Sequence, residues 1–396
     1  MKWYRDIGPG ILIAAAFIGP GTVTLCTIAG ASFGYSLIWA IILSTFSTII
    51  LQEMSLRIGL FTRMNLAQVL RNNIKSLFLN RFLLILIICS ILIGNAAYEA
   101  GNITGASLGL SAIINNQSIN YFPLIIGLVA FIVLYQGDYK ILERSLISLV
   151  LIMSISFFIT AIMTKPNLIL LVKGAIRPNI NSNNLVVVLG LIGTTVVPYN
   201  LFLHSSLVSE KWKSIDKLKV ARFESFISIL IGGLVSLSII ITAASVNNQE
   251  ITGVIDLAKG LEPLYGKFAI YFLGIGLFAS GITSSITAPL AAAYVAKSCF
   301  GWGDSLKSKK FRFVWILILL IGVIISMLNI NPIEIIKFAQ FSNSLLLPII
   351  AIILLWLINN RNIISNKYNY KYQNLLGSII VIITIILGFK GLTSLF

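Results

Sequence analysis

Few side chains of this chain are equipped for chemistry, and those that are lie inside long apolar runs. Glu99 falls near the centre of one such run, where an acid is a candidate proton carrier because its ionised form is costly in hydrocarbon. His204, the single histidine, could relay protons near neutral pH. The remaining polar groups gather at two prolines: Thr22 beside Gly19-Pro20-Gly21, and Thr194, Thr195, Tyr199 and Asn200 around Pro198. Neutral hydroxyl and amide oxygens of this kind can coordinate an ion or hold a polar solute. They do not make a nucleophile and base pair, and Cys26, Cys89 and Cys299 stand singly without metal-type spacing. An enzyme, a bound cofactor and a disulfide are therefore not expected.

The solvent of the elements that carry these groups is lipid. Of the 396 residues 57% are hydrophobic and only 11% charged, and the mean hydropathy of +0.95 exceeds what a water-soluble domain of this size carries. Apolar runs long enough to cross about 30 Å of hydrocarbon recur along the whole chain, and they are continuously apolar where barrel strands would alternate. The expected fold is all-α and integral to the membrane, a single transporter-like domain over 1–396. Eleven spans are expected, over 10–32, 37–58, 82–109, 121–136, 141–163, 185–208, 223–245, 266–297, 313–330, 334–358 and 375–395. The start, Met1 to Asp6, is too short to read as a cleaved signal, and the longest connections, near 57–81, 164–184 and 246–265, are read as loops.

Charge fixes the orientation. Sorted by connection, 22 of the 29 basic residues fall on one side, which is the cytoplasmic side by the positive-inside rule and holds the N-terminus. The expected location is the inner (cytoplasmic) membrane. The net charge of +16 then reflects topology and anionic headgroups, and no nucleic acid or obligate protein partner is called for. The expected partners are the bilayer and a small solute or ion.

Two spans are interrupted. The first contains Ala16-Phe17-Ile18-Gly19-Pro20-Gly21-Thr22, and the sixth contains Gly193-Thr194-Thr195-Val196-Val197-Pro198-Tyr199-Asn200. A mid-span proline removes a backbone donor, and paired interruptions five spans apart point to a carrier built of inverted repeats with its site at the midplane. The repeats would cover about 10–163 and 185–358, with one extra helix at 375–395. A channel is disfavoured because no ring of charges or repeated filter sequence is present.

At these residues the chain resembles the NRAMP family of proton-coupled divalent metal transporters. The resemblance rests on Gly8-Pro9-Gly10, Gly34-Tyr35, Leu142-Glu143, the run from Pro198 to Ser206, and Ala279-Ser280-Gly281. It implies a LeuT-type fold of two five-helix inverted repeats, broken in helices 1 and 6, working as a secondary transporter by alternating access. It also implies where cargo would bind, and there the sequence departs. The family's Asp-Pro-Gly-Asn is here Gly19-Pro20-Gly21-Thr22, so the carboxylate and the amide are gone. The family's Ala, Met and His of the sixth span correspond to Thr194, Val197 and Tyr199, so the thioether is gone too. Its Asp-x-x-Glu proton pathway falls on Glu99 and Asn102, its helix 10 glutamine on Gln340, and its second histidine of the sixth span on His204.

A Mn²⁺ or Fe²⁺ ion needs at least one anionic ligand to offset desolvation, and a thioether helps to select it. Neither remains, so no high-affinity metal site is expected. Two kinds of cargo stay open. A hydrated divalent ion, of the Mg²⁺ type, could be held through its waters. A small organic solute such as an amino acid could instead place its carboxylate on bare backbone donors at the half-helix N-terminus around Gly19, Pro20 and Gly21. Loss of ligands would also fit a non-transporting sensor.

Other polar residues keep two readings each. Glu99 and His204 are either proton carriers or satisfied packing groups, and Thr283-Ser284-Ser285-Ile286-Thr287 either lines the cavity or glues helices together. Glu53 with Arg57, and Asp138, Lys140, Glu143 and Arg144, read as gate or loop salt bridges.

Overall fold

The computed structural model describes residues 18–74, 76–114, 121–137, 140–212, 214–246, 251–302, 308–328, 330–360, 363–364 and 371–393, with the backbone alone for 140–145. The described residues are helical throughout and contain no strand. In chain order the helices are α1 (Pro20–Phe33), α2 (Ile38–Thr62), α3 (Leu66–Asn73), α4 (Leu77–Ile114), α5 (Phe122–Gln136), α6 (Lys140–Met163) and α7 (Leu168–Ile176). The chain continues with α8 (Leu185–Thr195), α9 (Pro198–Lys211), α10 (Leu218–Ala244), α11 (Ala269–Phe300), α12 (Lys309–Ser326), α13 (Pro332–Asn359) and α14 (Lys371–Thr393). Two single turns, Val254–Ala258 and Glu262–Tyr265, precede α11.

Eight segments among the described residues are long and apolar enough to cross a membrane, and α5 is a shorter apolar helix. α12 carries Lys309, Lys310 and Arg312 in its first turn and is apolar beyond it. The outer faces of α5, α6 and α14 expose Leu128, Ile132, Ile155, Ile382 and Phe389, as lipid-facing helices do. The three long connections are not plain loops. α3 is started by a capping box in which Asn65 and Gln68 bond each other's backbone, and α7 by Asn167, whose side chain accepts from Ile169 N and Leu170 N.

α4 is the central strut. It packs most extensively on α11, and also on α13 and α12, while α1 lies against α10 and the two halves of the sixth span pack on α2 and α13. Small residues bring α4 and α11 together: a Cβ on Gly109 would meet the Gly274 carbonyl at 2.5 Å, and one on Gly281 would meet Ala106 at 2.6 Å. Close backbone approach of this kind is how helices associate where lipid supplies no hydrophobic drive.

Candidate substrate site at two helix breaks

α1 begins inside the membrane protein, not at its edge. Gly19 is extended (φ −114°, ψ −175°), Pro20 opens the helix, and both are buried. The sixth span is interrupted at a proline too: α8 stops at Thr195, Val196 and Val197 are non-helical, and Pro198 starts α9. Proline suits a first helical position because its missing N–H has no partner to lose. Thr48 of α2 donates to the Thr195 carbonyl at 3.3 Å, and Ser55 to the Leu201 carbonyl, so the loosened backbone of this span is partly tied to its neighbour.

The two breaks touch. The hydroxyls of Thr22 and Thr194 share a hydrogen bond of 2.8 Å, and both residues are fully buried. Gln340 of α13 is wedged between the same elements, because a Cβ on Gly21 would collide with its side chain and one on Gly193 with its carbonyl. Gly19 is roomier: a Cβ there would meet the Ser284 hydroxyl at 3.4 Å and the Tyr98 hydroxyl at 3.9 Å. Tyr98 in turn packs edge-on against Tyr199, with ring centroids 5.7 Å apart.

Near this contact and along α9 and α13 several buried polar atoms have no hydrogen-bond partner among the described residues: both amide atoms of Asn200, Gln340 Oε1 and Asn343 Nδ2. Each such atom is costly to bury unless something meets it. The set offers donors and acceptors together, and every member is neutral. Among the described residues no group of three or more His, Cys, Asp or Glu is placed to hold a metal ion.

Glu99 and Asn102 stand beside this cluster. Asn102 Nδ2 donates to Glu99 Oε2 at 3.3 Å, and Ser285 of α11 faces the same carboxyl. Gly322 of α12 closes the far side, since a Cβ there would meet Glu99 Cγ at 2.5 Å. His204 lies elsewhere. Its Nδ1 donates to Gln52 Oε1 at 2.8 Å, and its Nε2 is buried without a partner among the described residues.

Of the residues read from sequence, Gly19, Gly21, Thr22, Thr194, Tyr199 and Gln340 therefore converge, with Val197 in the break itself and Asn200 one turn beyond. Thr195 turns back to its own helix, bonding the Leu191 carbonyl at 2.8 Å. The run in α11 divides. Thr283 and Thr287 bond backbone carbonyls one turn earlier, whereas Ser284 and Ser285 face Gly19 and Glu99. Glu53 pairs with Arg57 at 3.0 Å and also with Arg222 at 2.6 Å. The side chains of Asp138, Lys140, Glu143 and Arg144 lie outside the described residues. Tyr98, Asn343 and Gln52 were not singled out from sequence. Their only signal there was polarity inside an apolar span.

A helical bundle with two mid-membrane breaks meeting over a buried polar cluster defines a membrane transporter of LeuT-type fold. Solved structures of that shape agree: the chain superposes on the Eremococcus coleocola manganese transporter in complex with an aromatic bis-isothiourea substituted compound with a TM-score of 0.80, at 20% identity, covering 100% of this chain and 88% of that one. The nucleobase-cation-symport-1 family transporter Mhp1 in a closed conformation follows with a TM-score of 0.62, at 14% identity, covering 98% of this chain and 92% of that one. The sequence match is more specific, because the family model described as natural resistance-associated macrophage protein-like (Nramp) covers residues 10–394, and the chain belongs to that family. The divalent metal cation transporter MntH of Staphylococcus aureus (strain JH9) is 28% identical over 420 residues, spanning 98% of this chain and 90% of that protein.

Proposed function

We propose that the chain is a secondary carrier working by alternating access in the inner membrane, with its N-terminus in the cytoplasm. Its cargo sits between the two helix breaks and is a divalent cation that keeps much of its water. Family membership and relatives named as divalent metal cation and manganese transporters support the cation. The observation that carries the rest is the hydroxyl contact between Thr22 and Thr194, in a cluster of neutral oxygens where the family would place a carboxylate, an amide and a thioether.

A stripped divalent ion there would lack a counter-charge, at a cost of several kcal/mol on the order-of-magnitude scale for buried charge. An ion that keeps its inner waters needs only hydrogen-bonding groups around them, and Gln340 Oε1 and the Asn200 amide have no partner among the described residues. Mg²⁺, which parts with water reluctantly, is the natural fit. Glu99, buried beside the cluster, is the group that would couple protons to transport. Asn102 positions it, and His204 with Gln52 forms a separate polar pair deeper along α9. The halves over about 10–163 and 185–358 would rock about the site.

One observation favours a second reading. The N-terminus of α1 points into the cluster with a bare glycine before it, which suits the carboxylate of an amino acid.

Calorimetric titration of the purified protein with Mn²⁺, Mg²⁺ and the common amino acids, followed by uptake into proteoliposomes, separates the readings. Mn²⁺ and Mg²⁺ are expected to bind weakly and within about tenfold of each other, or ~1.4 kcal/mol. Micromolar Mn²⁺ binding would overturn the altered site. Saturable binding of an amino acid without response to either ion would replace the cargo, and binding without uptake would make the protein a sensor.

A further inference from the structure

The connection after α6 carries a second, unrelated feature. α7 is nine residues long and its outward residues are apolar: Leu168, Ile169, Val172 and Ile176 are 70%, 79%, 53% and 72% exposed. A short helix with such a face is stable lying in the membrane interface. Its inner side is seated on the turn that follows α1. Gly174 rests against the Tyr35 carbonyl, where any Cβ would collide, and the Asn167 backbone is hydrogen-bonded to the Tyr35 hydroxyl.

Between α7 and that turn is a cavity of about 620 Å³ whose polar lining includes Tyr35, Ser36, Lys173, Arg177 and Asn179. Lys173 and Arg177 are one helical turn apart, and among the described residues no carboxylate lies within ion-pair distance of either. Their side of the membrane makes this unusual. By the positive-inside rule only 7 of the 29 basic residues fall on the non-cytoplasmic side, and Lys165, Lys173 and Arg177 are three of them. Topology works against positive charge here, so two cations lining one cavity call for a local anion.

We propose that this cavity binds the phosphate headgroup of an anionic phospholipid from the non-cytoplasmic leaflet. Arg177 and Lys173 hold the phosphate, Arg as a planar donor fork and Lys as a point charge. Tyr35 and Asn179 face the glycerol, and the acyl chains run along the exposed apolar side of α7. A soluble phosphate would use the two cations and leave that apolar rim without a role, which is why the lipid is the occupant.

The test uses the full chain in a neutral detergent, titrated with phosphatidylglycerol, phosphatidylcholine or sn-glycerol 3-phosphate. Lipid retention is read by native mass spectrometry and stability by the thermal unfolding midpoint. Phosphatidylglycerol is expected to be retained and to raise the midpoint, with phosphatidylcholine and the soluble phosphate far weaker. The double variant Lys173→Gln/Arg177→Gln is expected to lose the retained lipid while unfolding near the wild-type temperature without it. If that pair fails to fold, Arg177→Gln alone carries the test through its salt-dependent loss of retention. Equal retention of phosphatidylglycerol by wild type and variant, or of the two lipids by wild type, overturns the proposal. Binding of glycerol phosphate as tight as that of the lipid overturns the lipid as occupant.

Discussion

Tyr98 and Glu99 are adjacent in sequence and serve different neighbours, because successive residues of a helix point about 100° apart. Tyr98 looks toward Gly19 and packs on Tyr199, whereas Glu99 faces Ser285 of α11 and backs onto Gly322 of α12. Under the proposed function this places Glu99 next to the cargo without making it a ligand. Glu99→Gln keeps the volume and the bond to Asn102 while removing the charge. It is expected to flatten the pH dependence of uptake into proteoliposomes and to leave cargo affinity nearly unchanged. A wild-type pH profile in the variant would mean that protons, if coupled at all, take another route. Loss of cargo binding would instead make Glu99 the missing counter-charge of the site.

Between elements a charged tie is made by Glu53 of α2, which holds Arg57 one turn along its own helix and Arg222 of α10. The Arg57 side chain is 0% exposed, so an uncharged residue at 53 would leave a buried guanidinium short of its anion. Glu53→Gln is expected to destabilise the protein by up to about 3 kcal/mol, and Arg222→Ala, removing a partly exposed partner, by much less. Thermal unfolding checks the order, and equal small effects would demote the network to surface pairing. The pair Glu53 and Arg57 was legible in sequence from its spacing, but Arg222 lies 169 residues away and no local pattern announces it. The same holds for His204 and Gln52, 152 residues apart. Long apolar runs ended by Pro, Gly or charge fixed the spans to within a few residues. α3 and α7 were lost inside presumed loops, although the capping residues Asn65, Gln68 and Asn167 were there to be read.

At the scale of the molecule, what matters is that two distant breaks meet at one point, and that this point is closed to solvent, with Thr22, Thr194, Tyr199 and Gln340 all buried. If the cargo binds there, the positions that resemblance assigns to the family's ligands can be refilled as a set. Gly19→Asp restores an anion, Thr22→Asn a hard oxygen and Val197→Met a soft sulfur, which together are the ligands a transition metal selects. Local space decides whether they fit. A Cβ at 19 comes within 4 Å of the movable hydroxyls of Ser284 and Tyr98, while a Cβ at 21 would displace the Gln340 side chain. Replacing Thr22 also releases the bond to Thr194 and so opens the contact that now fills the site. Tyr199, packed on Tyr98, is the remaining obstruction, and Tyr199→His in a fourth substitution removes it while adding a nitrogen ligand. The triple or the quadruple variant is expected to gain at least about tenfold in Mn²⁺ affinity over wild type, roughly 1.4 kcal/mol, in calorimetry on folded protein. No gain in either variant would mean that the two breaks do not converge on a cargo, and the Thr22–Thr194 contact would then be a structural bolt between α1 and α8.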